Sequence, residues 1–185
     1  PNYKLETIED FCADSISFLS SFQDKSNSYY YPNSSTYSYE IDDVGDFLLA
    51  EEFTFSAQIF WEGGPWYDPW DDVPQKQYLI NSNEDFAIFS SHEDSLTYSD
   101  AKSSVSFLFD KNSWKFLTVI RKFNSVEIYQ DSILIAQKTI NGIDPIYLNS
   151  NLVIGNERRY SHHNKFNGAI TEIAFWRQAI DTNLL

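Results

Sequence analysis

The 185-residue sequence contains no methionine and only one cysteine, Cys12. One thiol closes no internal disulfide and builds no cysteine metal cage. Without an initiator the chain opens at Pro1, which predicts a processed form or a fragment of a larger parent chain. The missing signal peptide is then silent on export. No apolar run approaches the ~18 residues of a membrane span, so no segment is expected to insert in a bilayer. Bases are scarce: 13 Lys and Arg stand against 27 Asp and Glu, a net charge of −14. A body of that sign repels polyanions before contact, which argues against nucleic acid as a partner.

Aromatic residues are abundant: 5 Trp, 12 Tyr and 15 Phe. Such residues suit half-buried pleated surfaces, so the composition predicts an all-β fold. With 42% hydrophobic and 22% charged residues the chain is globular, and its length predicts one domain over 1–185. From Glu52 onward apolar and polar residues alternate. Phe53, Phe55, Ala57, Ile59 and Trp61 fall on one face of a strand. Shorter strands are expected at Gln77 to Ile80 and Asp85 to Ser90. Phe116 to Arg121 follows the turn cluster Asp110-Lys111-Asn112-Ser113. Ser125 to Tyr129 and Ile133 to Ala136 form a hairpin across Gln130-Asp131-Ser132. Leu152 to Gly155 and Gly168 to Trp176 close a set of about ten strands with no long helix. Ile8, Phe11, Cys12, Ile16 and Leu19 fit helical spacing capped by Thr7 and Asp10, but Ser15 to Phe18 fits a strand equally.

The segment Phe166-Asn167-Gly168-Ala169-Ile170-Thr171-Glu172-Ile173-Ala174-Phe175-Trp176, followed by Ala179-Ile180-Asp181, resembles the closing signature of laminin-G-like and pentraxin-like domains. Asn112-Ser113-Trp114, Val126 to Asp131, Leu152-Val153-Ile154-Gly155 and Phe53-Thr54-Phe55-Ser56-Ala57 are similar to four further motifs of those families, in the same order. The resemblance covers roughly residues 45–182. It implies a concanavalin A-like jelly roll: an antiparallel sandwich of two large sheets, one of them concave. It also implies an extracellular or cell-surface setting. Two departures are Ser132, where the turn Gly is expected, and Lys115, where a His often follows the Trp. Both are expected to be ordinary turn or surface positions.

The fold alone assigns no function, so individual residues must. Glycanases of this fold resemble Glu-x-Asp-x-x-Glu on one strand, since glycoside hydrolysis needs two facing carboxyl groups. Here Glu40-Ile41-Asp42-Asp43-Val44-Gly45 begins that pattern and ends it at Gly45, so the chain is expected not to be an enzyme. Calcium wants several hard oxygen ligands. The pentraxin-like resemblance implies acids before the strand at Phe86, where Asn83-Glu84-Asp85 stands, and a partner loop after the Ile-Gly, where Asn156-Glu157-Arg158-Arg159 stands. It thus implies Asp85, Glu84, Glu157 and Asn156 as ligands for Ca²⁺, while Arg159 replaces an expected acid. The alternative is an ion-pair rim, with Arg158 or Arg159 against Glu84 or Asp85.

The run Trp61-Glu62-Gly63-Gly64-Pro65-Trp66-Tyr67-Asp68-Pro69-Trp70-Asp71-Asp72-Val73-Pro74 concentrates Trp and Pro in one loop. Sugar rings stack their C–H faces on indole, and their hydroxyls need carboxylate, amide or guanidinium partners. Trp66, Tyr67 and Trp70 beside Asp68, Asp71 and Asp72 supply both, and the prolines limit the entropy lost on binding. Alternatively, Trp66 or Trp70 plugs the open end of the sandwich. Arg158, Arg159 and Tyr160 complete the candidate binding set, while His162-His163 read as a solvated loop. Asn33-Ser34-Ser35 matches the glycosylation sequon. The expected partner is a glycan or, failing that, a surface protein.

Overall fold

A computed structural model of the chain describes residues 52–64, 76–82, 86–100, 102–140, 152–155, 166–176 and 178–182, with only the backbone at 91. It describes the backbone alone for 15–17, 39–41, 48–49 and 146–147. Fourteen strands run in chain order. They are β1 (Ser15–Ser17), β2 (Tyr39–Ile41), β3 (Leu48–Leu49), β4 (Phe53–Trp61), β5 (Gln77–Ser82), β6 (Phe86–His92) and β7 (Ser95–Asp100). The rest are β8 (Ser104–Leu108), β9 (Trp114–Lys122), β10 (Ser125–Gln130), β11 (Ile133–Thr139), β12 (Ile146–Tyr147), β13 (Leu152–Ile154) and β14 (Gly168–Trp176). One six-stranded sheet has the order β1-β14-β4-β9-β10-β11, and the other β2-β13-β5-β6-β7-β8. β3 and β12 form a separate pair. No α-helix occurs among the described residues.

Alternation in β4 drives the packing. Phe53, Phe55, Ala57, Ile59 and Trp61 all face inward and are fully buried. Phe55 lies opposite Val119 of β9 and Phe175 of β14, so three neighbouring strands present apolar side chains at one level. From the facing sheet, the Phe86 ring meets Phe53 edge-on at 5.7 Å and Phe175 at 6.0 Å. Each such buried Phe contributes about 2–3 kcal/mol, and edge-to-face contact about 1 kcal/mol more. Phe53, Phe55, Ile59, Leu117, Val119, Ile128, Ile154, Ile173 and Phe175 are all buried in this core. Ser15 to Ser17 resolves as a strand paired with β14. Strands β7 and β8 were not individually expected, and their outward positions are mostly serine or threonine.

The β10–β11 connection is the two-residue turn Asp131-Ser132, with φ of +48° and +69°. Both residues are left-handed, as the twist of a tight hairpin demands. Position 132 is therefore not an ordinary turn position: it needs the conformation that glycine adopts without cost and serine does not.

Between the sheets lies a buried polar network. Arg121 is only 1% exposed, and its Nε donates to Asp100 Oδ2 at 3.0 Å. Tyr98 donates its hydroxyl to the same oxygen at 2.5 Å, and the Lys102 and Ser103 amides donate to Oδ1 at 2.8 and 2.6 Å. Burial, reinforced by the Asp100 charge, pushes the Tyr98 hydroxyl well above its ordinary pKa. The network ties β7 of one sheet to β9 of the other. On the outer face of the β4 sheet, Thr54 Oγ1 donates to the Gln178 carbonyl at 2.9 Å and accepts the Ile180 amide at 3.0 Å. The segment after β14 is thereby pinned across that face, leaving the strand ends to carry a site.

Candidate functional site

One end of the sandwich collects the exits of β4, β6, β10 and β13 and the entries to β5, β7, β9 and β14. Three backbone hydrogen bonds tie these connections together. The Glu62 amide donates to the Asn167 carbonyl at 2.9 Å, Asn112 to Trp61 at 2.7 Å, and Gly64 to Glu93 at 3.0 Å. At Gly64 a Cβ would lie 1.9 Å from the His92 carbonyl oxygen, so only glycine fits against the β6–β7 turn. Residues 65–75 depart from this root and return at Lys76, beside Gln77, which pairs with Ser90 of β6.

A second segment, 156–165, leaves at Gly155, whose amide donates to the Leu79 carbonyl at 2.8 Å. Its return at Phe166 is joined to its departure, because the Phe166 amide donates to the Gly155 carbonyl at 3.0 Å. Asn167, next in the chain, is the partner of Glu62. The two segments singled out in the sequence are therefore rooted side by side.

The predicted site residues themselves lie outside the described residues. Trp66, Tyr67, Asp68, Trp70 and Asp71 belong to the first segment, and Asn156, Glu157, Arg158, Arg159 and Tyr160 to the second. Glu84 and Asp85 fall between β5 and β6, also outside the described residues. The roots of that connection, Ser82 and Phe86, stand three residues further along β5 than Leu79, with which Gly155 is level. A strand advances about 3.3 Å per residue, so the two sets of roots are separated by roughly 10 Å along β5. Among the described residues, no group of three His, Cys, Asp or Glu side chains is placed to hold a metal.

Charge at this rim is organised in clasps. Lys111 is held by Asp94, with Glu93 at 3.9 Å. The hydrogen bond to Asp94 raises the Lys111 pKa, and these acids keep the ammonium charged. Lys115 Nζ sits 2.7 Å from Asp131 and 3.5 Å from Asp110. Asp131 is pushed up by partial burial, but hydrogen bonds from Lys115 and the Phe116 amide outweigh this and hold it below its usual value. Gln130 braces the rim by donating Nε2 to Asp110 at 2.7 Å. Lys76 lies over the Phe89 ring, 4.6 Å from its centre. The sequence marks residues 110–113 as a turn leading into a family motif at Asn112-Ser113-Trp114, not as part of a charged clasp. The Lys111–Asp94 and Lys115–Asp131 partners come from different connections of the chain, and no local pattern marks them.

The family model Laminin_G_3, of the concanavalin A-like lectin/glucanases superfamily, matches residues 33–183. The chain belongs to this family. No curated protein matches it significantly. Among solved structures it is similar to a protein of Bacteroides ovatus ATCC 8483 proposed to bind carbohydrate, with TM-score 0.62 and 18% identity over 81% of this chain and 43% of that one. It is similar to the binding domain of Paraclostridial mosquitocidal protein 1, with TM-score 0.59 and 14% identity over 97% and 44%. It is also similar to botulinum neurotoxin type C, whose cell entry depends on two ganglioside molecules, with TM-score 0.54 and 17% identity over 74% and 34%. The chain thus spans less than half of each of these structures. At such identities the likeness establishes the fold, which agrees with the jelly roll described above. No helix among the described residues is long and apolar enough to cross a membrane.

Proposed function

We propose that this chain is a non-catalytic carbohydrate-recognition module of an extracellular or cell-surface parent protein, binding glycan with segments 65–75 and 156–165. The observation that supports this reading is their side-by-side rooting through the Glu62–Asn167 and Phe166–Gly155 hydrogen bonds. One segment brings Trp66, Tyr67 and Trp70 as stacking surfaces, and the other Arg158, Arg159 and Tyr160 as hydrogen-bonding groups. The similarity to a Bacteroides ovatus protein proposed to bind carbohydrate lends further support. Against catalysis stands the carboxylate pattern that stops at Gly45, of which only Glu40 lies on a described strand, at the sheet edge in β2. Because the Glu84-Asp85 and Asn156-Glu157 segments are rooted apart, we propose binding that does not depend on calcium.

The test is a glycan array probed with the wild-type chain, with and without EDTA, and with a Trp66→Ala/Trp70→Ala variant. Binding that survives EDTA and is lost in the variant is expected. Binding to no glycan, with retention on a cell-surface protein, would replace carbohydrate recognition with protein adhesion. A signal abolished by EDTA would restore calcium to the site.

A further inference from the structure

The outer face of the β4 sheet is unevenly covered. Residues opposite one another on paired strands share a face, so the registers give its outward rows. Thr54 and Ser56 of β4 lie level with Ile120 and Thr118 of β9, and Thr118 with Tyr129 of β10. All five are buried although they point away from the core between the sheets. The segment after β14 crosses these rows, held by Thr54 at Gln178 and Ile180, with Thr182 hydrogen-bonded to the Tyr129 hydroxyl.

Towards the rim the same face stays open. Thr171, Gln58 and Phe116 form one row across β14, β4 and β9, and Ala169, Phe60 and Trp114 form the next. Phe116 is 39% exposed, and Gln58, Phe60, Trp114 and Thr171 are half-buried. The Phe60 and Trp114 rings lie side by side, their centres 5.8 Å apart and their planes tilted by 55°. The Gln58 side chain makes no hydrogen bond among the described residues. This floor carries no charge. Beside it Lys115 and Asp131 are paired at 2.7 Å, and Asp131 fixes Phe116 by accepting its amide at 2.9 Å. Glu172, exposed in the β14 bulge next to Thr171, adds a carboxylate at the edge.

The floor is continuous with the roots of the rim segments. Glu62 lies two residues beyond Phe60, and Asn167 two residues before Ala169, and their backbones are hydrogen-bonded at 2.9 Å. Rows two residues apart are separated by about 7 Å, and the three strands span about 10 Å. The open floor therefore begins where segments 65–75 and 156–165 are rooted and ends against the segment after β14. Aromatic rings stack on the C–H faces of sugars, and an amide both donates to and accepts from their hydroxyls. An apolar protein face laid here would bury the Gln58 amide without a partner, which costs free energy that sugar hydroxyls would spare.

We infer that the glycan held at the rim extends onto this floor, so that the site takes linear, uncharged oligosaccharides rather than a single terminal sugar, with Gln58, Phe60, Trp114 and Phe116 as its further contacts. This rests on the carbohydrate reading and adds a second place and a ligand length to it.

The experiment titrates neutral cello-, xylo-, manno- and chito-oligosaccharides, from disaccharide to hexasaccharide, into isotope-labelled wild-type chain and into a Gln58→Ala/Phe116→Ala variant. In the wild type, affinity is expected to rise by about tenfold with ligand length, the gain of one further aromatic anchor. Only the longer ligands should shift the Gln58 side-chain amide and the Phe116 and Thr171 backbone amides. The variant, shown to be folded by its thermal unfolding, is expected to lose the gain with length. Affinity independent of length, or a gain kept intact in the variant, would overturn the inference and leave carbohydrate recognition at the rim standing. Hexasaccharide binding that leaves the Gln58 and Phe116 signals in place would overturn it without any substitution. Binding of none of the four series would overturn the carbohydrate reading and this inference with it.

Discussion

Replacing Asp100 by alanine tests the inter-sheet network. Asp100 accepts four hydrogen bonds, from Tyr98, Arg121 and the Lys102 and Ser103 amides, inside the sandwich. Its side chain is 0% exposed and that of Arg121 is 1% exposed, so water cannot replace what the carboxylate supplies. Removing the carboxylate breaks the buried ion pair and takes the acceptor from the Tyr98 hydroxyl and two amides, at a cost of about 3–5 kcal/mol. For a chain of this size that lowers Tm by roughly 6–20 °C. The double variant Asp100→Leu/Arg121→Met removes both charges together and is expected to recover most of the loss, because a buried pair replaced by apolar groups is often nearly neutral. Denaturant unfolding of the two singles and the double gives the coupling energy. A loss below about 1 kcal/mol for Asp100→Ala, or a double variant no better than the worse single, would refute the reasoning.

Three further outcomes follow from single contacts. Ser132→Gly relieves a left-handed serine at φ +69° and is expected to stabilise the protein by about 0.5–1 kcal/mol in thermal unfolding; a lower Tm would contradict the turn assignment. Burial, then the hydrogen bond and charge of Glu127, raise the Tyr129 phenol to about 12. Its neutral form is thus favoured in the folded chain: the stability it contributes is complete below about pH 10, its unfolded value, and is lost as pH rises towards its folded value. Ultraviolet titration that ionises Tyr129 near pH 10 in folded protein would contradict this. Thr54→Val removes both hydrogen bonds to the segment after β14, costs about 1–2 kcal/mol and should accelerate amide exchange at Ile180; unchanged exchange would mean that Thr54 does not pin it.

Much of the fold was legible because period-2 alternation reports one buried face. β4 carries large apolar residues at every second position, β9 and β10 bury Leu117 with Val119 and Val126 with Ile128, and most motifs of the family resemblance fall on these strands and on β13 and β14, where a bulge between Thr171 and Ala174 interrupts the alternation. β7 and β8 alternate too, through Leu96 and Tyr98 and through Val105 and Phe107. Serine or threonine at most of their outward positions gives them the composition of loops, and short apolar spacing is then a weak signal. Arg121 looked like the polar end of a strand. One partner that makes its burial tolerable is Asp100, on a strand of the opposite sheet, and no local pattern announces such a partner. The Asp131-Ser132 turn was placed correctly, but its left-handed backbone was not read from a sequence without glycine there. For the site, the Trp-rich and Arg-bearing segments were visible as composition. Their common root was not, because it depends on backbone hydrogen bonds between strand ends more than 100 residues apart, such as Glu62 and Asn167.

Chemical-shift mapping on isotope-labelled protein, titrated with a neutral oligosaccharide, tests the central claim most directly. The account predicts that the amides of Glu62, Gly64, Asn112, Gly155 and Asn167 shift together and saturably, while those of Phe123, Asn124 and Ser104, at the other end of the sandwich, stay in place. Shifts confined to that far end or to the outer face of either sheet would contradict recognition at the rim.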